Sequence, residues 1–248
     1  ATGLTQCRRP SRFSPNDRPR HAHPAAAMRE TLLSSLPAAL STALFAQAPV
    51  VHLDPQQTLF VAGDPGDGCY LVDEGLLKVN CISPSGTERV LAILGPGDLV
   101  GELAMIDGAP RSASVAALRE SKLRFVSRAT FDAVGRARPE LYRHITIMLA
   151  RRLRDIDEVV TASSFLPLKG RTAAVLLRLA EAFGKDVGGG RIVIHLKVSQ
   201  SDIAAMAGIA RENVSRILQD WMRHSLVSRM SGYYCLENRA ALERERER

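Results

Sequence analysis

The sequence predicts an α+β protein in which a unit of short strands is followed by one long helix and then by a unit of short helices. Three observations lead to this prediction. Between Leu59 and Asp98, apolar residues alternate in short runs that glycines interrupt, as in turns between strands. From Pro139 to Phe165 no glycine or proline breaks the chain, which favours a single helix. After Pro167, helical and capping patterns return in shorter segments.

Length and composition allow two hydrophobic cores and favour an anionic partner. With 248 residues, of which 46% are hydrophobic, the chain can bury two cores of modest size. The formal net charge of +7 fits a partner such as DNA, because charge bears on partners rather than on fold. Residues 1–28 carry many arginines among prolines and few large apolar groups. We predict that this basic segment is disordered, with Met28 as a candidate natural start.

No group of residues predicts catalysis or metal binding. The four cysteines, at positions 7, 69, 81 and 235, lack the spacing of zinc or iron–sulfur ligands, which predicts free thiols in a reducing compartment. The six histidines show no metal-binding spacing either. No Ser-His-Asp set, pair of acids or nucleotide-hydrolysing loop stands in a plausible context. We therefore expect neither an enzyme nor a metal site.

The segment Gly101–Ala113 combines the groups that a phosphate and its sugar require. Gly101 lets the backbone approach a ligand, and the amides after it can point N–H groups at an anion. The guanidinium of Arg111 can bind phosphate through two donors in a fixed fork. The carboxylate of Glu102 can accept from a sugar hydroxyl, and Ser112 adds a neutral hydrogen bond. This ordered set predicts a ligand site.

Gly-Glu-Leu followed by Arg-Ser-Ala resembles the phosphate-binding cassette of the cyclic-AMP receptor protein (CRP/FNR) family of bacterial transcription regulators. The glycine-cut strands upstream resemble the β-roll of that family, and the likeness covers roughly Leu32 to Leu236. The resemblance implies a cyclic-nucleotide-binding β-roll over 29–137, a dimerisation helix over 138–166, a winged helix-turn-helix over 167–238 and a charged tail over 239–248. It also implies that cyclic AMP or cyclic GMP is an allosteric ligand held by Gly101, Glu102, Leu103, Arg111, Ser112 and Ala113.

The helix after Pro139 carries the seam of a two-stranded coiled coil. Apolar residues recur at alternating steps of three and four, with Arg152 as the polar exception, and this spacing predicts a parallel homodimer. The seam positions are Tyr142, Ile145, Leu149, Arg152, Ile156, Val159 and Ser163. A second apolar flank, formed by Leu141, Met148, Leu153 and Val160, suits contact with the β-roll as well.

Two positions on this helix depart from the family pattern. Alignment places Ile156 and Asp157 where the family has small hydroxyl residues that contact adenine. Isoleucine offers no hydrogen bond, and a carboxylate only accepts, so the base must donate to it. Guanine presents adjacent N1–H and N2–H donors, whereas adenine has only its N6 amino group. Asp157 therefore either selects guanine, or it faces solvent or pairs with Arg154, and the choice between cyclic AMP and cyclic GMP stays open.

The residues after Pro167 predict a DNA-reading module. A capping box at Ser199–Asp202 opens one helix, Gly208 supplies a tight turn, and Arg211 to Met222 forms a second helix. Arginine fits the acceptors of guanine and glutamate accepts from cytosine, and the first residues of a recognition helix reach base edges. The arrangement resembles the base-reading set of the family and implies DNA contacts from Ser199, Ser201, Arg211, Glu212, Ser215 and Arg216.

The remaining segments predict a helix, a strand, a wing and a solvated end. Arg171 to Phe183 is helix-like, and Ile192, Ile194 and Leu196 alternate as a short strand. Segments 226–229 and 233–236 predict the hairpin of a wing. The alternating charges of 243–248 predict a solvated tail.

Arg29 and the apolar residues up to Ala48 imitate a secretory signal. Read as helices, the same residues place Leu32, Leu36 and Leu40 on one face, which suits packing against the β-roll. No segment reaches the roughly 18 apolar residues of a membrane span. Because a DNA-binding half would have no use outside the cytoplasm, we expect a cytoplasmic protein without a membrane partner.

The sequence as a whole predicts a cyclic-nucleotide-responsive transcription regulator that acts as a homodimer on DNA with two-fold symmetric half-sites, with RNA polymerase as a further partner. Two alternatives remain. One is a CRP/FNR-family regulator that responds to another effector. The other is a cyclic-nucleotide-binding regulatory subunit of an enzyme, although the residues after Phe165 indicate a DNA module instead.

Overall fold

A computed structural model describes residues 31 and 36–247. The predictions for residues 1–28, Arg29, Leu32 and Cys7 fall outside this range. The elements of the N-terminal unit are α1 (Ala38–Phe45), β1 (Val50–Leu53), β2 (Thr58–Phe60), β3 (Gly68–Ile82), β4 (Glu88–Leu94), β5 (Leu99–Val100), α2 (Glu102–Asp107), β6 (Ser114–Ser127) and α3 (Arg128–Ala137).

The N-terminal unit is an antiparallel β-roll built around its two longest strands. The sheet order is β1-β6-β3-β4, with β2 paired to β6 and β5 paired to β3. Leu71 and Leu77 of β3 and Leu123 of β6 are fully buried in this roll. Leu36 and Leu40 pack with α1 into the same core as Leu71, which confirms the predicted packing of this helix on the roll for the residues described.

The long helix is α4 (Glu140–Phe165), which begins directly after Pro139. Proline favours the first positions of a helix because its missing N–H has no intrahelical partner there. Leu141 and Ile145 bury this end of α4 against Phe131 and the β-roll core. The opposite end stops at Leu166, whose extended backbone precedes Pro167. This is the junction between the two units.

The C-terminal unit comprises α5 (Leu168–Phe183), β7 (Gly184–Asp186), β8 (Ile192–Ile194), α6 (Gln200–Ala207), α7 (Arg211–Arg223), β9 (Val227–Met230), β10 (Tyr233–Leu236) and α8 (Arg239–Glu247). Its four strands form one sheet in the order β7-β8-β10-β9. The inward side of α7 is formed by four buried residues, which are Val214, Ile217, Leu218 and Trp221. The mixed helix and strand content and the order of the units confirm the predicted fold class.

Three local predictions for this unit were wrong. Helix α5 begins at Leu168 rather than Arg171, because Pro167 starts the helix without disrupting it. The strand predicted to reach Leu196 ends at Ile194 and pairs with β7, which the sequence analysis missed. Residues 239–247, predicted as a solvated tail, form α8.

Helix α8 packs on α5 through Leu242, which is fully buried. Its charges are partly paired, since Arg239 bridges Glu181 and Glu243. The charged residues of this segment suggested a solvated tail, but its one buried apolar residue, Leu242, makes it an amphipathic helix that packs on α5.

The two units share a hydrophobic contact. Leu76 and Val90 of the β-roll join the buried cluster of the C-terminal unit. Beside them, Arg89 lies so close to the turn between α6 and α7 that a Cβ at Gly208 would overlap its guanidinium. Gly208 also has a left-handed backbone with φ of +64°, a conformation that favours glycine at this turn.

Candidate functional sites

The predicted cassette is a tight turn followed by the six-residue helix α2. Gly101 adopts a left-handed backbone with φ of +80° directly before Glu102, where α2 starts. A Cβ at this position would lie 2.5 Å from Nη1 of Arg111. Gly101 is therefore needed both for the turn and for the close approach of the guanidinium.

Arg111 reaches into the β-roll instead of extending into solvent. Its side chain is only 5% exposed, and Nη1 donates to the carbonyl oxygens of Gly68 and Gly101 at 2.8 and 2.7 Å. The guanidinium carbon lies 4.4 Å from the centroid of the Phe60 ring. Nε is buried and has no hydrogen-bond partner among the described residues. The guanidinium is thus held in place with donors still available for an anion.

Glu102 is buried and bonded to the long helix. It is 3% exposed, and its carboxylate accepts from Nη1 of Arg152, while Nη2 of Arg152 donates to the carbonyl of Leu99. The ion pair connects α4 directly to the cassette. Of the two carboxylate oxygens, Oε1 takes the bond from Arg152. The sequence analysis did not anticipate this use of Glu102.

The other predicted cassette residues differ in how far they are buried. Ala113 is buried, whereas Leu103 and Ser112 are exposed. The carbonyl of Ser112 accepts a weak bond from the Cys81 thiol at 3.7 Å. Cys69 lies beneath the cassette, where burial and the nearby Glu102 raise its pKa to about 12. This thiol stays protonated and unreactive at neutral pH, and Cys69, Cys81 and Cys235 are free thiols as predicted.

The exposed face of α4 differs from the predicted coiled-coil seam. Ile145 packs on the β-roll and Arg152 binds Glu102, so neither is available to a partner helix. The exposed large apolar residues of α4 are Tyr142 and Ile156, which belong to the predicted seam, Leu153 and Val160, which belong to the second flank, and Phe165. Leu153, Ile156 and Val160 are 59%, 56% and 56% exposed, and their spacing of three and four residues forms one stripe along the second half of the helix.

Ile156 and Asp157 remain outside the cassette in the single chain. Both side chains are exposed, and neither contacts Glu102 or Arg111 among the interactions that the structure describes. Ile156 lies one helical turn beyond Arg152, the residue that contacts Glu102. Asp157 forms no ion pair with Arg154 within the described range.

The predicted helix-turn-helix is present with its capping box. Ser199 Oγ accepts from the backbone N–H of Asp202 at 3.0 Å, and the Asp202 carboxylate accepts from the N–H of Ser199 at 2.9 Å. Ser199 is therefore committed to starting α6, while Ser201, two positions later, is exposed.

A shallow recess brings the predicted base-reading residues together on the outer face of α7. Arg211, Glu212 and Arg216 are exposed, and Ser215 lies between them. The recess is also lined by Gln200 and Gln219, which the sequence analysis missed. Gln219 could have been found from its spacing, because it lies three residues after Arg216. Gln200 could not, because it belongs to the preceding helix.

Within residues 36–247, no group of His, Cys, Asp or Glu side chains is arranged to hold a metal ion. In the same range, no helix has the length and apolarity that crossing a bilayer would require.

The two units match two known domain families. Residues 50–137 match the model of the cyclic nucleotide-binding domain, and residues 170–245 match that of the Crp-like helix-turn-helix domain. These ranges contain the cassette and the recess described above.

Relatives of known function align over most of the chain. A CRP-like cAMP-activated global transcriptional regulator from Mycobacterium tuberculosis is 33% identical over 206 residues, which cover 83% of this chain and 88% of the relative. The cyclic AMP receptor protein of Thermus thermophilus is 34% identical over 77% of this chain and 86% of its own length. A solved structure of a CRP/FNR-family transcriptional regulator from the same organism is 25% identical, with a TM-score of 0.68 over 81% of this chain and 99% of that one.

Proposed function

Since the chain belongs to the CRP/FNR family of transcription regulators, we propose that it acts in the cytoplasm as a homodimer that binds specific DNA in response to a cyclic nucleotide. The domain pair and the relatives support regulation of transcription rather than an enzymatic role. RNA polymerase, as the enzyme of transcription, is proposed as a further partner.

The observation that carries the ligand proposal is that the guanidinium of Arg111 is buried with its hydrogen bonds only partly satisfied. Burying a guanidinium is costly unless its charge and donors are satisfied. Two backbone carbonyls and the Phe60 ring satisfy part of this requirement, yet Nε is buried without a partner among the described residues. A cyclic phosphate would supply the missing charge and acceptors. Gly101, Glu102, Leu103, Ser112 and Ala113 are proposed to complete the site.

Cyclic AMP is the first candidate ligand, because the relatives aligned over most of the chain are named for it. Cyclic GMP is the second candidate, because the carboxylate of Asp157 can accept hydrogen bonds from the two adjacent donors of guanine. Calorimetric titration of the intact protein with each nucleotide separately tests the proposal. Micromolar or tighter binding of at least one nucleotide supports it, and absence of binding for both contradicts it.

Asp157→Ala is expected to separate the two nucleotides. If Asp157 accepts from guanine, the variant loses affinity for cyclic GMP by about 1.5–3 kcal/mol and keeps its affinity for cyclic AMP. Parallel titrations of the variant and the unmodified protein measure this difference. Asp155→Ala is the matched control, since it removes the same charge from the same helix. Equal effects on both nucleotides, or none, would place Asp157 on the solvent face and leave cyclic AMP as the ligand.

The exposed stripe of α4, defined by Leu153, Ile156 and Val160, is the proposed dimer contact. Three apolar side chains more than half exposed on one helix face are costly in water, and a second copy of the same helix would cover them. In a two-fold dimer the two α7 helices would read half-sites centred roughly 34 Å apart.

The proposed dimer also suggests how ligand and DNA are coupled. Helix α4 is bonded to the cassette through Arg152 and Glu102, and it ends at the junction with the DNA-reading unit. A nucleotide shifts the DNA-binding equilibrium only if it binds the active and inactive dimers with different affinity. The Arg152–Glu102 pair is the contact through which such a difference would reach the helix.

Arg216→Ala is expected to weaken specific DNA binding by about 1–3 kcal/mol and to relax the preference at one base pair of each half-site. The reason is that Arg216 is exposed in the recess of α7 and can bond a guanine edge. Affinities for a selected site and a scrambled duplex, measured at one salt concentration, test this expectation.

Arg223→Ala is the matched control for this variant. Arg223 is 76% exposed on the last turn of the same helix, so its removal changes the charge equally without touching the recess. The base-reading assignment is wrong if Arg216→Ala and Arg223→Ala weaken both duplexes to the same extent.

A further inference from the structure

Arg128, the first residue of α3, lies behind the cassette and contacts both of its sides. Its backbone N–H donates to the carbonyl of Asp67 at 2.7 Å, in the loop that leads to β3. Its Nη2 donates to the carbonyl of Ala104 in α2. The two bonded segments are separated by 37 positions in the sequence, so their relative position depends on tertiary contacts such as these.

The first of these segments forms one wall around Arg111. Gly68, which follows Asp67, accepts from Nη1 of Arg111 through its carbonyl oxygen. Gly66 lies so close that a Cβ there would be 2.9 Å from the guanidinium carbon. A shift of this loop would therefore move the group that is proposed to bind the phosphate.

The second segment is the end of the cassette helix. Gly108 ends α2 in a left-handed conformation, and its N–H donates to the same Ala104 carbonyl that accepts from Arg128. A Cβ at Gly108 would lie 3.0 Å from Nη1 of Arg128. The cation thus sits against the carbonyl end of α2, where positive charge is favourable.

We propose that Arg128 is a positioning residue of the ligand site, which holds the Asp67–Gly68 loop and α2 together so that Arg111 and Gly101 keep their binding geometry before the nucleotide arrives. This inference rests on the proposed function. A site that is already ordered before binding loses less conformational entropy when the nucleotide binds. Arg128 would therefore raise nucleotide affinity without touching the nucleotide. Nε of Arg128 is buried and has no hydrogen-bond partner among the described residues. This fits a side chain whose role is to hold its position and charge.

The test compares Arg128→Met with Arg128→Lys in the intact protein, using cyclic AMP and cyclic GMP as probes. Arg128→Met removes the side-chain donors and the charge, while the backbone N–H of residue 128 can still bond Asp67, and it should lower the affinity for the nucleotide that the unmodified protein binds by about 10-fold. Arg128→Lys returns a charge and a donor near the Ala104 carbonyl and should recover part of that loss. Hydrogen exchange at the Gly108 amide, measured without nucleotide, should accelerate in Arg128→Met, because the turn that it closes is less constrained.

Arg124→Met is the matched control. Arg124 is another partly buried arginine of the β-roll, but its guanidinium binds Asp73 and the Phe45 carbonyl, away from the cassette. Its loss should lower the unfolding temperature without changing nucleotide affinity. A merely structural role for Arg128 would give the same result in both methionine variants.

The outcomes separate this inference from the proposed function. If the unmodified protein binds neither nucleotide, the proposed function fails, and the exchange rate at Gly108 still tests whether Arg128 orders α2. If the unmodified protein binds a nucleotide and Arg128→Met binds it equally well, the positioning role is refuted and the proposed function stands. An unchanged exchange rate at Gly108 would also refute it.

Discussion

We expect Arg111→Leu to abolish binding of both cyclic nucleotides at concentrations where the unmodified protein is saturated. Each charge-assisted hydrogen bond to a phosphate is worth about 1.5–3 kcal/mol, and the fork can form two. The combined loss is about 3 kcal/mol or more, which lowers affinity at least about 100-fold. Calorimetric titration or competition with a fluorescent cyclic nucleotide would measure it. Retained micromolar affinity would overturn the assignment of the cassette.

The structure adds a second consequence to this substitution. Arg111 is buried and donates to the carbonyls of Gly68 and Gly101, so leucine would leave both oxygens without these donors. An unsatisfied buried group costs about 1–3 kcal/mol, and the variant should also be less stable. Arg124→Leu removes a partly buried arginine elsewhere on the same sheet and is the control for general destabilisation. Nucleotide affinity that falls only in Arg111→Leu isolates the phosphate contact.

Trp221→Ala is expected to destabilise the DNA-reading unit by about 3–5 kcal/mol, the cost of removing a large aromatic group from a packed core. Trp221 is 2% exposed and packs in the cluster that contains Ile203, Leu218 and Tyr234. The reading face of α7 is positioned by this buried side, so specific DNA binding should be lost while the cassette still binds its nucleotide. Urea unfolding and DNA affinity would be measured on the full chain.

Trp221→Phe provides the comparison for this experiment. The indole Nε1 has no hydrogen-bond partner in the range that the structure describes, so phenylalanine sacrifices volume but no hydrogen bond. Its cost should be smaller, about 1–2 kcal/mol, and DNA binding should survive. Trp221 is the single tryptophan, so unfolding must be followed by circular dichroism rather than by fluorescence. Equal losses for the two variants would contradict a packing role.

Much of the fold could be predicted because its signals are local. The capping box at Ser199 involves residues three positions apart, and the inward face of α7 follows from helical spacing. The cassette was visible for the same reason, since Gly101 and Arg111 are ten positions apart and their order is itself a signal. The glycine turns of the β-roll likewise depend on the backbone preferences of single residues.

The wrong predictions concern segments whose sequence pattern fits two structures. A neighbouring element that packs against the segment decides which of the two forms. The charges of residues 239–247 suit both a solvated tail and the polar side of a helix, and the pocket that takes Leu242 is supplied by α5. The apolar positions of α4 suit two overlapping stripes. Contact with the β-roll takes Leu141 and Ile145, which leaves Leu153, Ile156 and Val160 exposed.

The family, the order of the elements and the positions of α2 and α7 follow from the sequence alone, because their signals lie in residues close together along the chain. The bond between Glu102 and Arg152, fifty positions apart, and the link that Arg128 forms between the Asp67 loop and α2 arise only in the folded chain. An arginine in a sequence offers the same five donors to any acceptor within its reach. Which acceptor it takes is set by folding, when strands and helices bring distant backbone carbonyls and carboxylates within about 3 Å of the guanidinium.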